Sequence, residues 1–395
     1  MRDSLATKRI EAALDSESLP IENPNFLRSP YGAYSQLRAQ SPIVPSSDGH
    51  TWYVLSYHVA KEVLTRRDFG KGQDNDSSTE SESLLRNALA YWPLLSDPPN
   101  HIKYRQLACS HGRRDFESLV SEVVQRTFSR LRSAGPIEVN EFLVVPLVDE
   151  VIGQISGLAA KDREDVFPLV ERITDGLLNN KNAAKWALAE AAYEEILEWL
   201  RMKSRLKDAA VGGGSINIEA QLVGASLFTM MIFAGRDALR YGLTSVIKNV
   251  IDHPGLHLAL RNSDVMKSFV KEVLRVDPPI QYTWRRALAD VDLQGNKIKR
   301  GDFIAVILGS ANRDEAVFQK ADSVVLGRCG ETPLTFGAGI HYCIGASIVT
   351  EVAGCVLKCL LDNDVLSNAV ILEEEVHARP PFKGISKLSI SLTNP

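Results

Sequence analysis

The sequence predicts a mainly α-helical protein with a small β region, organised as one domain over residues 1–395. Three observations carry that expectation. Residues 184–207, AKWALAEAAYEEILEWLRMKSRLK, join strong helix formers to apolar residues mostly three or four apart. Residues 217–252 form a second helical run that ends at His253-Pro254. At about 1.5 Å per residue that run would span about 50 Å, enough to cross a domain and act as its spine. Strand signals, by contrast, are short and few.

Taken in order, residues 51–56, TWYVLS, are β-branched or aromatic and read as a strand. Residues 70–92 are rich in Ser, Asp and Glu and read as a loop that closes over a ligand. The first long helix ends near the flexible Gly212 to Gly214 break. DVDLQGNKIKRGD, residues 290–302, reads as a hairpin turning at 294–296; DFIAVIL, 302–308, and GISKLSISL, 384–392, read as strands. Neither an internal repeat nor a low-complexity linker marks a domain boundary.

Composition narrows the function classes. At 45% hydrophobic and 24% charged, the chain has the make-up of a globular protein with a large core. A net charge of -4 gives nucleic acid no electrostatic footprint to bind. The N-terminal residues lack the apolar core of a secretion signal, so a cytoplasmic protein is expected. LVGASLFTMMIFAG, residues 222–235, is interrupted by Ser226 and Thr229 and runs into Arg236 and Asp237. It falls short of the roughly 20 apolar residues of a membrane span, so no membrane partner is expected. Five cysteines, an odd number in a long chain, point to reduced thiols rather than a disulfide framework.

The chemistry concentrates in residues 336–345, FGAGIHYCIG. Gly337 and Gly339 begin a G-x-G, but the third glycine of a dinucleotide loop would fall at Tyr342. Zinc would want three or four Cys or His at short spacing, and Cys355 and Cys359, one helical turn apart, read better as small buried apolar residues. Haem iron needs a single thiolate, and Cys343 in a glycine-rich turn suits that role.

On these residues the chain resembles the cytochrome P450 superfamily. Phe336, Gly339, His341, Cys343 and Gly345 reproduce its F-x-x-G-x-H-x-C-x-G loop. Glu272 and Arg275 match its E-x-x-R, DPPNHIKYR (residues 97–105) its bacterial D-P-P-x-H-x-x-x-R, and WRRALADVDLQG and ANRD further bacterial patterns. The matches extend from about residue 80 to residue 383. The resemblance implies a helix-rich triangular prism with haem between the long central helix and the cysteine-ligand helix. It implies haem b (iron protoporphyrin IX) and O2 as cofactors, with Cys343 as the iron ligand. His101, Arg105, Arg285 and His341 would face the two propionates, Arg285 being preferred to Arg286 because it keeps R-x-A-x-x-D with Asp290. By spacing alone Glu272 and Arg275 are an exposed helix pair worth a few tenths of a kcal/mol; the resemblance makes them a buried brace.

Further implications concern the reaction. It would be an O2-dependent hydroxylation or related oxidation of a medium-sized small molecule from specialised metabolism, free or carrier-bound. Electrons would come from outside, from a ferredoxin and its reductase, since the sequence carries no flavin signature. The run 101–114 holds His101, Lys103, Arg105, Arg113 and Arg114 and no acid, which suits either a solvated face or a docking patch for an acidic electron carrier.

The informative departure is AGRDAL, residues 234–239, where the family has an acid followed by an alcohol. Asp237 keeps the acid; Ala238 replaces the alcohol and Leu239 offers no substitute. Three readings stand: the substrate donates its own hydroxyl or amide; the reaction is a coupling or cyclisation needing little controlled protonation; or the protein is a silent haem protein that recruits a partner. By register from Asp237, the pocket would be lined by Met230, Phe233, Ala234, Gln281, Thr283 and Phe382.

Overall fold

The computed structural model describes residues 19–72, 83–109, 116–131, 136–211, 218–363, 365–366 and 369–392, the side chains of 127–131, 204–211 and 218 excepted. Residues 73–82, 110–115 and 212–217 lie outside it. With them go ten residues of the expected ligand-covering loop 70–92, the Arg113 and Arg114 end of the basic run, and the expected glycine break. The chain forms two compact units, one from 1–70, 114–148 and 237–395, the other from 71–113 and 149–236.

The first unit holds a five-stranded sheet in the order Ile43–Pro45, Thr51–Val54, Phe303–Val306, Thr283–Ala287, Phe69–Gly70. Thr51–Val54 and Phe303–Val306 run parallel; the other pairings are antiparallel. Alternate side chains leave opposite faces of a strand. Here Val54, Ile304 and Val306 join a core with Tyr57, Val63 and Leu64, while Tyr53, Leu55, Ala305 and Ile307 join another with Tyr34 and Leu19. Burial on both faces is why DFIAVIL reads as a continuous apolar run. The expected strands are trimmed: Tyr57–Thr65 opens a helix just after the first, and Leu308–Ala311 another just after the second.

Val291–Leu293 and Asn296–Ile298 form the expected hairpin, with Gln294 and Gly295 both at positive φ (55° and 83°) in a two-residue turn. The last strand, Phe382–Leu392, pairs with Ile137–Glu138 on one side and Ala369–Arg379 on the other. The strand Ala369–Arg379 escapes periodicity reasoning because Glu373, Glu374 and Glu375 interrupt its alternation.

In the second unit the helix Ala183–Val211 outruns its predicted bounds at both ends and packs on Arg163–Leu178. The approach is close: a Cβ on Gly176 would lie 2.4 Å from Ala189 Cβ. Ser83 caps the short helix Leu84–Leu89, its Oγ accepting from Arg86 N at 3.1 Å, so part of the predicted loop is helical. The central helix, Ile218–Asp252, has 35 residues, as its sequence predicts. Among the described residues it is the one helix long and apolar enough to cross a membrane, but half of its most apolar window is buried within the protein.

Candidate active site

The thiol loop is built by glycine. Gly337 and Gly339 stand at φ 72° and 69°, a region costly for other residues, and a Cβ on Gly339 would lie 2.3 Å from the backbone oxygen of Leu64. The loop therefore lies against the helix Tyr57–Thr65 at a distance no other residue permits. Cys343 N donates to Phe336 O at 2.9 Å and Tyr342 N to Gly339 O at 3.1 Å, so the segment folds back on itself. Phe336 meets the Tyr342 ring edge-on at 6.4 Å. Cys343 is exposed, and Gly345 caps the 17-residue helix Ala346–Asp362, whose N-terminal partial charge favours an anionic neighbour. An exposed sulfur, an approach cleared of side chains by glycine and a helix N-terminus together fit a haem iron ligand. Among the described residues no group of three or more His, Cys, Asp or Glu could hold a metal ion instead. Cys355 and Cys359 sit half-buried on the helix Ala346–Asp362, and burial pushes the Cys355 thiol up to about 11.

The candidate propionate partners stand on a strand, a turn and a helix. Arg285 is buried on the strand Thr283–Ala287, with Nη1 donating to Trp284 O at 2.8 Å, whereas Arg286 points outward and reaches Gly301 O. The alternation of the strand thus buries Arg285 and turns Arg286 outward. His341 sits half-buried on the turn Gly339–His341. His101, buried, and Arg105, half-buried, belong to the helix Asn100–Cys109 of the second unit. Asp97 sets the start of that segment: His101 N donates to Asp97 O, and the Asp97 carboxylate accepts from Lys71 N and Gly72 N at 2.8 to 3.0 Å.

Glu272 and Arg275 lie one turn apart on the helix Ser263–Val276, both buried. All five Arg275 donors are used: Nε and Nη2 bond the two Glu272 oxygens at 2.8 and 3.1 Å, and Nη1 and Nη2 reach Asn312 O, Ala321 O and Ser323 O at 2.6 to 2.8 Å. Glu272 also accepts from Arg328 Nε and Val325 N. Burial pushes its carboxyl up, but the bonds from Arg275, Arg328 and Val325 outweigh burial and leave it below the usual carboxylate value. The pair staples the segment 312–328, and Asn312 Oδ1 then accepts from Leu334 N at the entry to the thiol loop. Arg328 and Asn312 carry as much of this brace as the motif residues; ANRD was the one sequence signal for either.

On the central helix, Asp237 is half-buried and its Oδ2 lies 3.9 Å from Arg379 Nη1. Ala238 is half-buried beside it and Leu239 turns into the core. Arg236 leans the other way: its Nε bonds Asp149 at 2.9 Å and its guanidinium lies 4.5 Å from the Phe167 ring centre. Arg379 carried no sequence signal at all.

The predicted pocket set is only partly open. Ala234 is exposed, Thr283 is half-buried, and Phe233 is half-buried with its ring 5.1 Å from that of Trp92. Gln281 is a correction. It is fully buried, Nε2 donating to Tyr31 Oη and Pro278 O, because the chain turns at Pro278 and a glycine at 309 leaves room for its amide; a Cβ there would sit 2.3 Å from Gln281 Oε1. Phe382 and Met230 are also corrected, at 4% and 5% exposure. Phe382 bridges Ile280 and packs inward, and Met230 shares the buried stripe of the central helix.

Comparison with known proteins decides the family. The family model described as Cytochrome P450 matches residues 245–363. The biotin biosynthesis cytochrome P450 of Bacillus subtilis is 26% identical, over 93% of this chain and 97% of its own. The cytochrome P450 monooxygenase PikC of Streptomyces venezuelae is 28% identical, over 93% of this chain and 92% of its own. The chain belongs to the cytochrome P450 superfamily. A solved structure, P450BioI in complex with an acyl carrier protein ligated to hexadec-9Z-enoic acid, superposes at TM-score 0.79, covering 94% of this chain and 99% of that one at 22% identity. P450 proteins bind haem b and use O2, and this chain is a P450 monooxygenase by family. Another solved structure with this fold is the cytochrome P450 PksS of the Bacillus subtilis 168 bacillaene polyketide synthase, at TM-score 0.77 and 20% identity, covering 95% of this chain and 99% of that one.

Proposed function

We propose that this P450 hydroxylates, or performs a related O2-dependent oxidation on, a medium-sized intermediate of specialised metabolism, and that Cys343 is its iron ligand. The observation that carries the proposal is the exposed Cys343 sulfur on a glycine-cleared loop braced through Glu272 and Arg275. Haem bound there supplies the oxidising chemistry, and thiolate ligation favours O–O cleavage. Phe336, Gly339 and Gly345 shape the loop. His101, Arg105, Arg285 and His341 offset the propionate charge. Asp237 holds the proton that turnover consumes, and because Ala238 carries no hydroxyl, a hydroxyl or amide of the substrate hands it on. Phe233, Ala234 and Thr283 are the pocket residues with open surface.

Residues 1–395 act as one catalytic domain in the cytoplasm, with electrons arriving from a ferredoxin and its reductase. Lys103, Ile102 and Leu107 are exposed on the helix Asn100–Cys109 and would form part of the carrier's landing surface. A carrier-bound substrate is supported by the acyl carrier protein complex of the structural relative. The test of the ligand is spectroscopic. The reduced protein under carbon monoxide should show the strong red shift of thiolate ligation, and a Cys343→His variant that keeps that shift refutes the assignment.

A further inference from the structure

The Asp237 carboxylate stands where proton delivery is expected, yet the helix that carries it supplies no alcohol next door. What it does meet comes from the C-terminal hairpin. Arg379, the last residue of the strand Ala369–Arg379, reaches it across 3.9 Å, and both side chains keep about one fifth of their surface exposed. One turn further along the helix, Tyr241 Oη lies 3.4 Å from His377 Nδ1 and accepts from Arg240 Nη2 at 3.4 Å. His377 precedes Arg379 by two residues, so both side chains leave the same face of the strand. Gly384 is the cross-strand partner of His377, and a Cβ on it would lie 2.3 Å from Tyr241 Cβ and Cγ. The hairpin therefore lies on this turn of the helix as closely as a missing side chain allows.

We propose that Arg379 is the positioning residue for the Asp237 carboxylate and that the neighbouring His377 makes its hold dependent on pH. The inference rests on the reading of Asp237 as the proton-holding acid. In the neutral tautomer that carries its proton on Nε2, Nδ1 accepts from Tyr241 Oη while that oxygen accepts from Arg240, and the hairpin is tied to the helix. A protonated ring carries N–H at both nitrogens and loses that acceptor. It also sets a new cation among Arg28, Arg240 and Arg379, with Asp237 as an opposing acid. The imidazolium then competes with Arg379 for the carboxylate and repels the guanidinium. Burial, then Arg28, Arg240 and Arg379, hold the His377 ring below its ordinary value, while Asp237 pulls the other way. The neutral-ring arrangement is thus complete above the ordinary histidine value of about 6.5; as pH falls through the depressed one Nδ1 turns from acceptor to donor and the added cation, set among arginines, loosens the hold.

The experiment uses the haem-loaded enzyme with a ferredoxin and its reductase, without added substrate, and follows NADH oxidation in H2O and D2O from about pH 5 to 8. Asp237→Asn, Arg379→Gln, Arg379→Lys and His377→Gln are compared with the parent, and the His377 ring is titrated by NMR in the parent and in Arg379→Gln. Asp237→Asn should slow oxidation about 10²-fold. Arg379→Gln should slow it about tenfold, through misplacement rather than loss of the acid, and raise the solvent isotope effect; Arg379→Lys should restore most of the rate. His377→Gln should flatten the acid limb of the pH profile, and the His377 titration should move up in Arg379→Gln. An unchanged rate in Asp237→Asn overturns the acid reading itself. A slowed Asp237→Asn beside an Arg379→Gln that keeps the parent rate, isotope effect and His377 titration overturns the positioning role alone.

Discussion

Two carboxylate–guanidinium pairs in the first unit are built on opposite terms. Glu272 and Arg275 are fully enclosed, share two hydrogen bonds at 2.8 and 3.1 Å, and extend to three backbone carbonyls, Arg328 and a backbone N–H. Asp237 and Arg379 face each other across 3.9 Å on partly open surface, from a helix and a hairpin. Desolvating a pair is costly unless every remaining donor and acceptor is met. The first pair meets that condition and is locked; the second avoids it by keeping about one fifth of each side chain exposed. A brace needs the one arrangement and a group that gains and loses protons needs the other.

The largest effect should come from breaking the locked pair. Glu272→Gln leaves the Arg275 charge buried without its counterion, and the expected loss is about 3–5 kcal/mol with release of haem on purification. Chemical denaturation with haem absorbance as a second probe checks it; a loss no greater than that of an exposed pair would place the brace elsewhere. Gly339→Ala should follow, since a Cβ meets the Leu64 oxygen at 2.3 Å and the φ of 69° disfavours it. About 1–3 kcal/mol of loop stability should go, visible as weaker haem retention rather than global unfolding.

A milder probe is acid. Because the folded Glu272 carboxyl lies below its ordinary value, its stabilisation is complete above the unfolded carboxylate range and is lost as pH falls through the lowered folded value. Stability should therefore drop in acid, and Glu272→Gln should flatten that part of the profile; an unflattened curve would assign the acid sensitivity to other carboxylates. The smallest effect is expected from Ala238→Thr. With the native substrate it should change the peroxide released per NADH little, whereas with an analogue lacking the donor group it should recover part of the lost coupling. An analogue that couples as well as the native substrate in the parent enzyme would end the substrate-assistance reading and favour ordered water or radical coupling.

Local spacing by itself marked the glycine-rich thiol turn, the central helix and the absence of a hydroxyl at residue 238, because each is set by neighbours within one or two turns of chain, whereas the buried role of Glu272 and Arg275 came with the family resemblance. Tertiary structure alone decided the rest. Arg379 meets Asp237 and Arg328 meets Glu272 only because distant segments fold together, and nothing near either arginine marks it in the chain. Gln281 and Phe382 looked like pocket residues by register, but register says which way a backbone runs, not which neighbour fills the space beyond it. Their burial follows from Tyr31, Pro278 and Ile280 closing over them, a matter of packing between elements far apart in sequence.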